Sequence, residues 1–222
     1  ALKCDAGTII QTGDFKIDLT PVGPELDLRK IARIGEQGVD LLLADSTNAA
    51  QEGYTPSEKN VLNSLHEIFN KSTSRIILST FSSNISRIEQ VAETCVKYNR
   101  KICIIGRSME SAINLAKKSG YITVPSSTFI DVADVSKFRL NQICILCTGS
   151  QGESLAALSR IANGNHKNIK ILPGDTIIFS SNPIPGNGVQ IDKLINNLTR
   201  LGANVITTKE YPDIHSSGHP SK

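Results

Sequence analysis

Short apolar runs recur along this chain, and most are followed by a stretch whose apolar residues repeat every three to four positions. Residues 8–12 carry a short strand pattern, and Pro21, Gly23 and Pro24 then break the chain. An amphipathic helix is expected over 27–37, with Leu28, Ile31, Ala32 and Ile34 on one side. Residues 39–44 form a continuous apolar run, the pattern of a strand buried on both faces. From there the alternation is regular. Strands are expected at 75–80, 101–106, 143–148, 176–181 and 204–208, and helices at 57–70, 84–98, 108–119, 153–162 and 190–201. Residues 121–139 read as a short edge strand with a connecting turn, and 163–173 as a polar loop. Strands alternating with helices in this way predict an α/β fold, a mostly parallel sheet flanked by helices on both faces.

A parallel sheet gathers the C-terminal ends of its strands along one edge, where open α/β sheets bind ligands. Here those ends are rich in hydroxyls, amides and glycine: Asp45-Ser-Thr-Asn48, Thr80-Phe-Ser82-Ser83-Asn84, Gly106-Arg107-Ser108, Thr148-Gly-Ser150-Gln-Gly152 and Ser180-Ser-Asn182. Several open a helix, whose free N–H groups favour an anion. Arg107, with Arg87 nearby, could supply fixed cations, and Phe81 a face for a base. The last strand leads into Asp213-Ile-His215-Ser216-Ser217-Gly218-His219, which holds two of the four histidines beside two hydroxyls. Each feature taken singly is also an ordinary helix cap or turn. His66, on a helix, and His166, in a polar loop, read as structural or solvated.

Composition narrows the reading only a little. The chain has 222 residues, 39% hydrophobic and 20% charged, as a globular protein with a core requires. A net charge of +3 permits nucleic acid as a partner without implying it. No apolar run reaches about 18 residues and no signal-peptide pattern is present, so no membrane association is expected. The five cysteines form no framework of spaced pairs. Cys144 and Cys147 sit three apart in a strand pattern and so face opposite ways. All five are expected in the core as free thiols, which suits the cytoplasm. The G-x-G-x-x-G and G-x-x-x-x-G-K-[ST] motifs are absent, which disfavours a dinucleotide dehydrogenase or P-loop NTPase.

Longer segments carry a resemblance. Thr12-Gly-Asp-Phe-Lys16, Ala44-Asp-Ser-Thr-Asn48, Thr80-Phe-Ser-Ser-Asn84, Gly106-Arg-Ser-Met-Glu-Ser111 and Cys147-Thr-Gly-Ser-Gln-Gly-Glu153 all resemble ribonuclease J. So do Ala157-Leu-Ser-Arg-Ile-Ala-Asn-Gly164, Phe179-Ser-Ser-Asn-Pro-Ile-Pro-Gly-Asn187 and the terminal loop 213–219. That family belongs to the metallo-β-lactamase superfamily and carries an inserted β-CASP domain. The resemblance implies a two-zinc ribonuclease that degrades RNA bearing a 5′ phosphate, from that end and internally, in RNA decay and maturation. It also implies a homo-oligomer in the intact protein.

Under the resemblance Asp14 is a metal ligand, and Asp45 is the acidic residue that contacts a metal-ligand histidine. His219 lies beside the scissile phosphate. His215, Ser216, Ser217 and Gly218 belong to the loop that holds phosphate, and Ser82, Ser83 and Asn84 to a substrate-binding turn. Arg107 and Ser150 join the substrate contacts. The family's H-x-H-x-D-H zinc motif is absent, since no two histidines stand two apart. The chain begins abruptly at Ala1. It is therefore expected to be an excised piece: 1–44 a partial metallo-β-lactamase-like αββα segment and 45–222 the β-CASP domain, with no zinc retained and no activity alone. A non-catalytic nucleotide- or phosphate-binding α/β module is the alternative.

Overall fold

The first elements are β1 (Leu2–Cys4), β2 (Gly7–Gln11), α1 (Leu28–Glu36) and β3 (Leu41–Leu43). β1 pairs antiparallel with β2, and β2 pairs parallel with β3, with Ile10 opposite Leu42. Asp27 caps α1 by accepting a hydrogen bond from the Lys30 amide at 2.9 Å. Little here is buried. The expectation that residues 39–44 form a strand covered on both faces is not met: Leu41, Leu42 and Leu43 are 47%, 58% and 50% exposed. An apolar run reports what a strand could bury, and these strands and one short helix are too few to cover a sheet on both faces. Cys4 is likewise exposed rather than in the core.

From α2 (Glu58–Lys71) onward the expected alternation is realised as β4 (Ile76–Ser79), α3 (Ile85–Lys97), β5 (Lys101–Ile105), α4 (Arg107–Lys118), β6 (Phe129–Ile130), β7 (Ile143–Cys147), α5 (Ala157–Ala162), β8 (Thr176–Phe179), α6 (Gly188–Arg200) and β9 (Asn204–Ile206). The strands form one six-stranded sheet in the order β6-β5-β7-β4-β8-β9. Every pairing in it is parallel. Residues alternate between two cores. Ile76, Leu78, Cys144 and Leu146 pack with α2, α3 and α4 on one face. Ile77, Ile143, Ile145 and Cys147 pack with α5 and α6 on the other. Cys144 and Cys147 thus lie on opposite faces, as their spacing requires. Burial pushes the Cys103 and Cys147 thiols up to about 12, so neither is a reactive thiolate at neutral pH.

α5 starts at Ala157 instead of near 153, because Gly149 and Gly152 (φ +109° and +75°) fold the chain into turns first. One buried ion pair ties the lower sheet edge. Arg75 Nε and a terminal nitrogen donate to the two oxygens of Asp175 at 2.9 and 2.5 Å, and Asp175 also accepts from the Leu172 amide.

The computed structural model describes residues 1–221. Two compact units emerge, residues 1–59 with the residues from 216 onward, and residues 60–215. The break between these units falls in the first turn of α2. The C-terminal loop joins the first unit. Among the described residues no helix is long and apolar enough to cross a membrane.

Candidate functional site

The first unit collects three chemically active side chains. Asp14 follows β2, Asp45 follows β3, and His219 arrives on the C-terminal loop. One ligand atom from each lies within 4.8 Å of the others. His219 Nδ1 and Asp45 Oδ2 are 2.7 Å apart. Asp45 is held in place by its neighbours: its amide donates to Thr12 Oγ1 at 3.0 Å, and its Oδ1 accepts from the Thr47 amide at 3.0 Å. The Thr47 hydrogen bond and then the His219 contact hold the Asp45 carboxyl well below the usual carboxylate range. Asp45 is therefore an ionised acceptor at neutral pH, and its side chain is only 4% exposed.

An ionised acceptor fixes the tautomer of its partner. Nδ1 of His219 must donate to Asp45, which leaves Nε2 as a lone pair in the neutral ring and a donor in the charged one. The loop that presents this ring is fastened along its length. Thr55 Oγ1 donates to the His219 carbonyl at 2.8 Å and accepts from the Ser221 amide at 3.0 Å. Asn48 Nδ2 donates to Ser217 Oγ at 3.0 Å, and that oxygen also accepts from the His219 amide at 3.1 Å. Ser216 is buried, donating to the Pro56 carbonyl at 2.5 Å and accepting from Lys16 Nζ at 2.7 Å. Asp18 accepts from Ser57 and from the Glu58 amide, each at 3.0 Å, and so anchors the segment behind Pro56.

Asp14 is exposed, and its carboxylate makes no hydrogen bond among the described residues. A free carboxylate is an oxygen donor of the kind that holds a divalent cation such as zinc, and it lies beside the Asp45–His219 pair. A carboxylate that orients an imidazole is also the usual support of a metal-binding or proton-transferring histidine.

The other residues expected at a substrate site belong to the second unit. Asn84 caps α3, accepting from the Arg87 amide at 3.0 Å, with Ser82 and Ser83 in the turn before it. Ser150 is 3% exposed. Next to it, Gln151 pins the loop after β8 by donating to Asn182 O and accepting from the Ile184 amide. His215 is half-buried, after the single turn Pro212–Ile214. Arg107 is exposed at the start of α4. Arg87, read from sequence as a cation for the crevice, is fully buried instead. Its guanidinium is engaged with Ser180 Oγ and with the Ile214 carbonyl, the latter at 3.0 Å, so it braces the fold.

Residues 73–198, more than half of the chain, match the family described as "Ribonuclease J, beta-CASP domain". This chain belongs to the ribonuclease J family. It is 51% identical to ribonuclease J 1 of Streptococcus pyogenes over 96% of its own length, which is 38% of that relative. It is 46% identical to ribonuclease J of Helicobacter pylori and 43% identical to ribonuclease J2 of Bacillus subtilis, in each case over its whole length. Those alignments cover 32% and 40% of the relatives. The chain therefore spans about two fifths or less of the length of these ribonuclease J proteins.

The family resemblance pointed to Asp14, Asp45 and His219. What sequence did not indicate is how the loop is held, through Thr12, Lys16, Asn48 and Thr55. Lys16 and Asn48 are polar residues between apolar segments, and nothing in their spacing marks them as loop anchors.

Proposed function

We propose that this chain supplies part of the catalytic site and the RNA-binding β-CASP portion of a zinc-dependent ribonuclease, one that acts on RNA with a 5′ phosphate as exonuclease and endonuclease. The observation that carries the reading is the Asp45–His219 pair beside the Asp14 carboxylate. Asp14 would hold a metal ion. Zinc bound there would supply Lewis acidity next to a phosphodiester. Asp45 keeps His219 in the tautomer with Nδ1 protonated, so that Nε2 faces a phosphate as the atom that gives or takes a proton. The Ser216–His219 loop, anchored through Ser216, offers backbone groups and the Ser217 hydroxyl to phosphate oxygens. Ser82, Ser83, Asn84, Arg107, Ser150 and His215 are proposed as further RNA contacts. One metal-binding carboxylate, Asp14, offers fewer donors than a catalytic zinc requires, so the 222-residue chain alone is expected to be inactive.

The test compares two variants in the intact protein. His219→Ala should lower turnover of a 5′-phosphorylated RNA roughly 10²–10⁴-fold with metal content unchanged. Asp14→Ala should lose metal and activity together. A His219→Ala protein that retains turnover within a few-fold of the parent would overturn the role of the ring.

A further inference from the structure

α5 is the shortest α-helix of the second unit. Its six residues span about 9 Å, whereas the five residues of β7, in the same core, span about 17 Å. The helix therefore leaves the N-terminal ends of β4 and β7 uncovered, and two irregular segments take its place there. One is the 3₁₀ stretch Val132–Lys137, with Phe138 and Leu140 after it, from the connection between β6 and β7. The other is the loop 167–172 that leads into β8. Between them lies a cavity of about 570 Å³, at the edge of the sheet opposite the hydroxyl-rich strand ends. Small-molecule sites occupy roughly 300–1,000 Å³.

The walls are apolar and one end is cationic. Ile143 and Ile169 are buried and form the floor with Arg75, and Val132, Val135 and Phe138 form a half-buried wall. Leu140 and Leu172 are exposed at the rim. Arg75 Nε and Nη2 hold Asp175, and Nη2 also donates to the Lys170 carbonyl at 2.8 Å. Nη1 makes no hydrogen bond among the described residues, although the residue is 5% exposed. Donors left unmade on a buried side chain are costly, and these belong to the lining of the cavity. Lys167 is the second cation there, exposed and without an ion pair among the described residues. No carboxylate stands in the lining.

Charge and shape together set the kind of ligand. Asp175 already balances Arg75, so Lys167 gives the cavity one net positive charge, while Nη1 of Arg75 adds directed donors. A single carboxylate matches that set. A phosphate dianion would keep an uncompensated charge beside apolar walls. Those walls fit a hydrocarbon body behind the acid. We infer that the cavity binds a small amphiphilic monocarboxylate, its acid group on Arg75 Nη1 and Lys167 and its apolar body against Val132, Val135, Phe138 and Ile169. Every residue of this site lies in the second unit, so it stands independently of the Asp45–His219 pair.

The 222-residue chain, labelled with ¹⁵N, is titrated with octanoate, with 1-octanol as the uncharged chain and acetate as the bare anion. Octanoate should shift the amides of 132–138 and 167–172 and the Nε–H of Arg75, and bind roughly tenfold or more tightly than either control, as a charge-assisted contact requires. Lys167→Ala should weaken octanoate about two- to fivefold, the scale of an exposed charge pair, and leave octanol unchanged. Arg75→Met with Asp175→Leu removes the Nη1 donors and replaces the ion pair by apolar volume. Its amide spectrum reports whether it is folded, and it should bind octanoate no better than octanol. If that variant does not fold, the comparison of octanoate with octanol in the parent decides alone. Octanol binding as tightly as octanoate in the parent would overturn the proposal, as would shifts spread over the whole surface or no shifts in the lining. Lining amides that move with the concentration of the ligand-free chain would assign the cavity to a second copy and overturn it too.

Discussion

Replacing Asp45 by asparagine changes one atom and should change the chemistry of His219. In the parent, Oδ1 of Asp45 accepts from the Thr47 amide and Oδ2 from His219 Nδ1. Asparagine has one acceptor oxygen, and the Thr47 amide, fixed in the backbone, claims it. The amide NH₂ then faces His219 Nδ1 as a donor, so the ring can keep this contact only by moving its proton to Nε2. A substitution of this kind preserves shape and inverts the tautomer. Where a carboxylate–histidine pair performs proton transfer, that inversion lowers turnover by about 10⁴. The ring itself can be read without any activity. Nitrogen shifts of His219 in the 222-residue chain at neutral pH should report Nδ1–H in the parent and Nε2–H in Asp45→Asn. The pH dependence has a definite sign. The carboxyl of Asp45 is held below its ordinary value in the folded chain, so its contacts contribute stability above about pH 4, where the unfolded carboxyl is ionised. That contribution is lost as pH falls from there through the folded value. Asp45→Asn should flatten the acid side of the stability profile. A His219 ring that keeps Nδ1 protonated in Asp45→Asn would refute the reasoning, because Asp45 would then not be what sets the tautomer.

Two further predictions concern the frame around the sites. Asp175→Ala strands the Arg75 guanidinium, 5% exposed, with only the Lys170 carbonyl at 2.8 Å. Urea denaturation should show a loss of about 3–5 kcal/mol, whereas Arg75→Met with Asp175→Leu should cost far less; a single-variant loss under about 1 kcal/mol would contradict the assignment. Gly152→Ala should cost more than Gly164→Ala, although both residues have positive φ (+75° and +71°). A Cβ at 152 meets the Gln190 backbone at 2.8 Å, while at 164 it meets nothing within 4 Å, so only the left-handed penalty of about 1–2 kcal/mol applies there. Equal melting temperatures for the two variants would show that α6 yields at no cost.

The parallel sheet was legible in the sequence because its strands are buried on both faces, and full burial leaves no polar positions to blur an apolar run. β4, β7 and β8, buried at every residue, were read within a residue or two. The same signal stands at β3, where Leu41–Leu43 is as apolar as β4 and is left exposed by the elements of the first unit. Sequence records which residues could enter a core, and whether a second layer exists to receive them is a property of the whole architecture. The sites divide along a similar line. Asp14, Asp45 and His219 are far apart in sequence, and residue chemistry alone left the terminal loop as a turn; only long matched segments joined them. His166 shows the converse. Taken alone, a histidine in a polar loop has no period, no metal spacing and no cap signature, so it read as solvated. The fold alone puts it in the lining of the same cavity as Arg107 and Arg160. A cavity lined by two helices and a loop that are separate in sequence leaves no local mark, since each segment by itself satisfies an ordinary structural need.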